Sequence, residues 1–384
     1  MKLLFISNEL SKTGSPLVLL TFIKWLRERE SLDIRIISLF DGELSVDFQS
    51  FGKILIIEQS KKSFFTNVRW GLKRFLPGLL DFINTFRAYI FLFSFQPELI
   101  YANSVASIPA LLWVKRFKTS PVLCHVHELE YSIDFYQNRD GYKIQNSLID
   151  VFITLSAQQS ILLQTKYQIA KEKIRIIPPH IYLTPAIQTS HEVRKKMKVG
   201  ENDFVIIGCG TLCWQKSPEL FIMTAKSVME KTNKKFKFVW IGKHESLSAN
   251  NQLESDIKRL SLIDIVFLIG FQENPIDFFA HSDVFYLSSR EDSFPLVCLE
   301  AASQGKPIIC FNGSGGITEF VSDDCGFVVP FIDIEKAADK IIQLMEDSTL
   351  KNLFGENGKR KVFQGYTVDQ TGPKILDVIK NLRQ

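Results

Sequence analysis

Two carboxylates, Asp292 and Glu300, stand eight positions apart in the run Arg290-Glu291-Asp292-Ser293-Phe294-Pro295-Leu296-Val297-Cys298-Leu299-Glu300. Gly305-Lys306-Pro307 follows, and then the glycine loop Asn312-Gly313-Ser314-Gly315-Gly316. Helical period from Leu296 to Gln304, closed by Gly305, puts Glu300 inside a helix and Asp292 in the loop before it. Backbone N–H groups and the positive end of a helix dipole at such a turn suit phosphate, and flanking carboxylates accept hydrogen bonds from hydroxyls. The chemistry expected there is recognition of a sugar joined to a diphosphate.

Three further groups lie just after strand-like runs. Gly14, in Ser7-Asn8-Glu9-Leu10-Ser11-Lys12-Thr13-Gly14-Ser15-Pro16, would let backbone approach a phosphate ahead of a helix beginning near Leu17. His125 and His127 share a face by alternation, with His127 at the strand end better placed to meet a ligand; a structural histidine is the competing reading. Lys216, after Gly210 and just before a helix start, is a point charge suited to a diphosphate, against the alternative of a surface lysine.

The elements that must position these groups repeat along the chain. Short β-branched runs at 3–7, 34–39, 54–57, 99–101, 122–126, 151–155 and 174–177 alternate with stretches of helical period. The pattern recurs at 204–209, 236–241, 265–269, 284–287, 308–311 and 327–329. The expected fold is α/β, a doubly wound parallel sheet made twice, over 1–185 and 198–365, with a closing helix over 366–384. Three prolines between Pro178 and Pro185 make a stiff connector, taken as the hinge. Ligands of open parallel sheets bind outside the carboxyl ends of the strands, so two such sheets facing one another would form a cleft.

A charged fraction of 23% and a hydrophobic fraction of 46% over 384 residues exclude a disordered or collagen-like chain. A net charge of +4 implies no nucleic-acid field, so no nucleic-acid partner is expected. The six cysteines contain no CxxC pair and read as buried small hydrophobes in a reducing compartment. With no apolar run of membrane-spanning length and no signal-like start, a cytoplasmic protein is expected. Between Lys61 and Arg87, cations interleave with Phe64, Phe65, Trp70, Phe75 and Phe86. Two readings stand: a peripheral contact with an anionic membrane surface, or a solvated helix whose aromatics point to the core.

Together these residues resemble the family-4 glycosyltransferases of the GT-B fold, retaining enzymes that use a nucleotide-sugar donor. The resemblance covers nearly the whole chain. It rests on Thr13-Gly14-Ser15-Pro16, His127-Glu128, Lys216, Asp292 through Glu300, Gly305-Lys306-Pro307, Gly315-Gly316 with Glu319, and Gly326 through Pro330. It implies two facing Rossmann-like sheets, with the closing helix back on the first domain. By the same resemblance Glu300 would bind the donor ribose, Asp292 or Glu291 hydroxyls of the transferred sugar, Lys216 the diphosphate, and His127 the sugar near its anomeric carbon. Gly14, Phe294, Leu296, Val297, Gly315 and Gly316 would complete the donor contacts. The acceptor would be a glycan or a lipid-linked glycan, in the assembly of cell-surface polysaccharide. Alternatives are a nucleotide-sugar epimerase of the same fold and a nucleotide-sugar-binding protein without turnover.

The chain departs from the family pattern at three places. Asp292 stands where a glutamate is usual, with Glu291 one residue earlier. Pro295 replaces a glycine, and Gly210 and Thr211 stand where an arginine usually precedes the lysine, leaving Arg290 or Lys243 to supply that charge. No Asp-x-Asp occurs, so neither a metal nor another cofactor is expected.

Overall fold

A computed structural model describes residues 1–58, 77–141, 143–144, 147–244 and 247–383. The chain divides into two compact units, Met1–Pro179 with Val368–Gln384, and His180–Thr367. Residues 180–185, expected with the first domain, therefore fall in the second unit. There Ile181 pairs with Thr367, and the Asp277 carboxylate accepts the backbone N–H groups of Ile187 (2.6 Å) and Gln188 (3.1 Å).

The first unit holds a seven-stranded parallel sheet in the order β3-β2-β1-β4-β5-β6-β7. Its strands are β1 (Lys2–Ser7), β2 (Asp33–Phe40), β3 (Lys53–Glu58), β4 (Leu99–Asn103), β5 (Val122–His125), β6 (Val151–Thr154) and β7 (Ile174–Ile176). Their near-continuous apolar composition is what burial on both faces requires. Leu3 and Phe5 enter one core layer and Leu4 and Ile6 the other, all fully buried. Strand order reverses between β1 and β4, which pair Ser7 with Asn103 at their carboxyl ends.

The second unit repeats the plan with six parallel strands in the order β10-β9-β8-β11-β12-β13. They are β8 (Phe204–Cys209), β9 (Phe236–Ile241), β10 (Val266–Leu268), β11 (Val284–Leu287), β12 (Ile308–Phe311) and β13 (Gly326–Val329). Here the order reverses between β8 and β11. Reversal leaves the two following loops without a helix crossing between them, which is where open parallel sheets receive ligands.

The closing helix Val368–Leu382 belongs to the first unit. It buries Ile375 and Ile379, and Asp369 accepts a hydrogen bond from Trp25 Nε1 at 2.9 Å. Gly372 is required at this seam, because a Cβ there would lie 2.8 Å from the Trp25 ring.

Candidate functional site

In the second unit the candidate residues gather at the β8/β11 reversal. The loop after β8 runs from Gly210 to Ser217, and the helix Pro218–Lys231 starts with Pro218 in its first turn. Ser217 precedes it in the left-handed region (φ 52°). Gly210 also has positive φ (155°), and a Cβ on it would press within 3.1 Å of the Lys216 side chain. The lysine is thus packed across the glycine.

The loop after β11 meets this loop through backbone. Gln215 O accepts from Arg290 N at 2.8 Å, and Ser288 Oγ donates to the carbonyls of Lys216 and Ser217, both at 3.1 Å. A third loop, after β12, joins on the other side: Asp292 N donates to Ser314 O at 2.7 Å and Gly316 N to Ser293 O at 2.9 Å. Three strand ends are therefore tied to one another by hydrogen bonds between their loops.

Lys216 Nζ and Asp292 form a close ion pair within this set. Burial by itself would lower the Lys216 pKa, but the Asp292 carboxylate outweighs it and holds the ammonium above the ordinary lysine value. Glu300 lies on the helix Leu296–Ser303, half-buried, and its carboxylate has no hydrogen-bond partner among the described residues. Burial pushes its pKa up to about 7. Phe294 is buried with its ring 5.7 Å from that of Tyr366, and half-buried Leu296 and Val297 open the helix. Helix-opening N–H groups have no intrahelical acceptor. Glu291 is half-buried beside Asp292, and Gly315 (φ 143°) and Gly316 lead into the short helix Ile317–Val321.

The two residues named as substitutes for the missing arginine sit on either side of the Lys216 loop. Arg290 pairs with Glu219 and donates to Ser217 Oγ at 2.8 Å, so its charge is already answered. Lys243 is exposed, with its Nζ 4.8 Å from the Phe271 ring centre. Its carbonyl accepts from Leu212 N at 2.9 Å.

In the first unit the candidates gather at the β1/β4 reversal. Gly14 is the first residue of the helix Gly14–Arg27, so that helix opens three residues earlier than the sequence suggested, and Gly14 lies in its first turn. His127 follows β5 and its Nε2 lies 2.9 Å from Asn103 Oδ1. The amide orientation is fixed by Asn103 Nδ2, which donates to Ser15 Oγ (2.9 Å) and Ser15 O (3.2 Å). Nε2 of His127 therefore carries the proton it shares with Asn103. His125, by contrast, is fully buried, with Nδ1 2.6 Å from the Tyr101 hydroxyl, and is the structural histidine of the two.

Glu128 anchors the same corner. Its carboxylate accepts from the Ser104 hydroxyl, Val105 N (3.2 Å) and His127 N (3.0 Å). Burial nevertheless raises its pKa above the ordinary glutamate value. Asn103, Ser104 and Ser15 were not singled out from sequence. The available signal was a polar Asn-Ser pair directly after an apolar strand, at the carboxyl edge where ligands bind.

Among the described residues no group of three or more His, Cys, Asp or Glu side chains is placed to hold a metal ion. No helix among them is long and apolar enough to cross a membrane. The basic, aromatic segment from Lys61 to Phe75 lies outside the described residues, whereas Phe86 is described and points to solvent, not to the core.

Residues 17–184 match the model of Glycosyltransferase Family 4, and residues 189–361 match that of Glycosyl transferases group 1. The UDP-Gal:alpha-D-GlcNAc-diphosphoundecaprenol alpha-1,3-galactosyltransferase of Escherichia coli is 29% identical over 213 residues, which are 54% of this chain and 54% of that protein. The match thus spans about half of that relative's length. The capsular polysaccharide biosynthesis glycosyltransferase CapM of Staphylococcus aureus is 31% identical over 169 residues, 44% of this chain and 43% of that one. Among solved structures, Anabaena HepE in complex with UDP superposes with a TM-score of 0.76 at 19% identity, covering 99% of this chain and all of that one (100%). A glycosyltransferase from Rickettsia africae gives 0.77 at 16% identity, covering 99% and 98%. With both halves matched by its models and the two parallel sheets of the GT-B fold in place, the chain belongs to the family-4 glycosyltransferases.

Proposed function

We propose that the protein transfers a sugar, with retention of anomeric configuration, from a nucleotide-sugar donor to a glycan or lipid-linked acceptor in cell-surface polysaccharide assembly. The observation that carries this reading is the grouping at the β8/β11 reversal: a lysine whose charge is held by one carboxylate, together with a second carboxylate that has no hydrogen-bond partner among the described residues. Lys216 is assigned to the diphosphate. Donor phosphate would replace Asp292 as its counter-charge and free Asp292, or Glu291 beside it, for sugar hydroxyls. Glu300 is assigned to the ribose diol, whose hydroxyls would donate to the unpaired carboxylate.

Charge develops on the departing diphosphate as the bond from the anomeric carbon to the phosphate oxygen breaks. Lys216 and the opening N–H groups of the helix Leu296–Ser303 would stabilise it. The acceptor oxygen bonds to the same face of the anomeric carbon, and its proton passes to the departing diphosphate. No protein base and no metal ion is asked for in this step. His127, with Nε2–H committed to Asn103, is assigned to orientation of the sugar. The UDP complex of HepE and the UDP-Gal donor in the E. coli relative's name favour uridine nucleotides.

The test is a reaction with UDP-, GDP-, ADP- and TDP-sugars and a lipid-linked acceptor, with the product's anomeric configuration read by NMR. A retained product that collapses in Glu300→Ala and Lys216→Ala, both still folded, supports the reading. A sugar nucleotide changed without any acceptor would make the protein an epimerase. Tight nucleotide binding without turnover across acceptors would make it a binding protein.

A further inference from the structure

Lys306 lies two residues before β12, at the amino edge of the second sheet and so at the opposite end of that strand from the glycine loop 312–316. Nothing in the proposed reaction uses it. Backbone pairing sets its neighbours. Phe285 pairs with Ile308, and Phe285 N donates to Pro307 O at 3.0 Å, so Asp283 and Lys306 stand at the same level on adjoining chains. On another side Gly305, in the left-handed region (φ 73°), packs against Gly355 of the helix Ser348–Gly365, where a Cβ would collide with Gly305 O. Lys351 is one helical turn from Gly355 and shares its face. One carboxylate is thereby set between two lysines.

That carboxylate is fully committed. Asp283 Oδ1 accepts from Lys351 Nζ at 2.7 Å, and Oδ2 accepts from Val205 N at 2.9 Å. Lys351 is also held over the Phe204 ring, with its Nζ 5.3 Å from the ring centre. Lys306 is the cation left over: half-buried, with no hydrogen bond or ion pair to its ammonium among the described residues. Burial brings its amine down to about 8, against the pull of Asp283 and with a further push from Lys351. At pH 7.5 about a quarter of it is then free amine, compared with about one in a thousand of an ordinary lysine. A desolvated lysine beside a second cation is activated as a nucleophile in this way.

Charge and access select the electrophile. Two lysines against one carboxylate leave this corner with a surplus positive charge, which draws an anionic reagent, and a half-buried amine admits only a small one. We propose that the Lys306 amine is a site of acylation by small acyl phosphates. The nitrogen lone pair bonds to the acyl carbon, the bond from that carbon to the phosphate oxygen breaks, and inorganic phosphate leaves. The nitrogen sheds its proton to solvent. The product amide is uncharged, so the step removes the surplus cation and leaves the Lys351–Asp283 pair intact. The β8/β11 reversal lies at the other end of the sheet, and the modification does not depend on the transferase reading.

The test is brief treatment of the full chain with acetyl phosphate at pH 7.5, with acetylation at each lysine read by peptide mass spectrometry. Lys306 should react about tenfold faster than exposed lysines such as Lys195 and Lys374. Its rate should level off above about pH 8, about two units below the point at which an ordinary lysine amine does. Lys351→Met frees Asp283 to pair with Lys306 and should slow Lys306 to the rate of the exposed lysines. If that variant does not fold, the pH profile of the wild type decides. Reaction of Lys306 no faster than that of Lys195 and Lys374, a rate still climbing at pH 10, or an undiminished rate in folded Lys351→Met would overturn the proposal.

Discussion

Burial holds the Glu300 carboxyl at about 7, well above an ordinary glutamate, so near neutral pH it is poised between forms. Only the charged form offers the ribose acceptors alone, and nucleotide affinity should fall as the pH drops below about 7. Calorimetric titration across pH 5.5–8.5 would show this inflection, and Glu300→Gln should abolish it along with most of the affinity. Stability should run the other way. A carboxyl whose folded pKa is raised carries no penalty below its unfolded pKa and acquires one as the pH rises towards the folded pKa. Glu300→Gln should therefore stabilise the protein at pH 8, by on the order of 2–3 kcal/mol at most, and leave it unchanged near pH 4.5, as thermal melts at both pH values would report. A side chain that weakens the fold where it is charged is what a binding group looks like when its ligand is absent. The sequence marked Glu300 by its place in a helix. Its lack of a hydrogen-bond partner among the described residues depends on neighbours that spacing does not reveal.

Parallel strands buried on both faces write themselves as apolar runs, which is why every strand of both sheets was legible within two residues at either end. Where the sequence run stopped short, the missing residues mattered: β4 continues past Tyr101 to Asn103, whose side chain orients His127. A polar residue ends an apolar pattern whether it closes a strand or begins a loop, so periodicity alone could not place it. Glycine at a close approach was equally hidden. Gly242, at the end of β9, has φ 159°, and a Cβ there would stand 1.8 Å from Gly210 O. Gly242→Ala should force the loop holding Lys216 outward, costing more than about 1 kcal/mol in a melt and weakening nucleotide binding at least tenfold. An alanine variant with wild-type affinity would show that the loop does not depend on this contact. For the segment from Lys61 to Arg87 the sequence left two readings open, and of its named aromatics the described one, Phe86, is turned to solvent and not to the core.

At the scale of the chain, the two-sheet plan was readable because the strand–helix alternation is repeated, whereas the return of the last helix to the first unit is a long-range contact without local signal. That helix seals Trp25 with Ile375 and Ile379. Removing residues 368–384 should cost roughly 3–6 kcal/mol from those two isoleucines alone, seen as a lower first transition in calorimetry. Family membership identifies the class of protein, and the assignment of donor binding to the β8/β11 reversal is the claim on which the rest depends. The most direct test is isothermal titration of the wild-type protein, Lys216→Ala and Glu300→Ala with a panel of UDP-, GDP-, ADP- and TDP-sugars. The prediction is that the wild type binds one nucleotide class, uridine first among them, and that each folded variant loses at least tenfold in affinity. Equal affinity in all three proteins, or no binding of any sugar nucleotide, would contradict it.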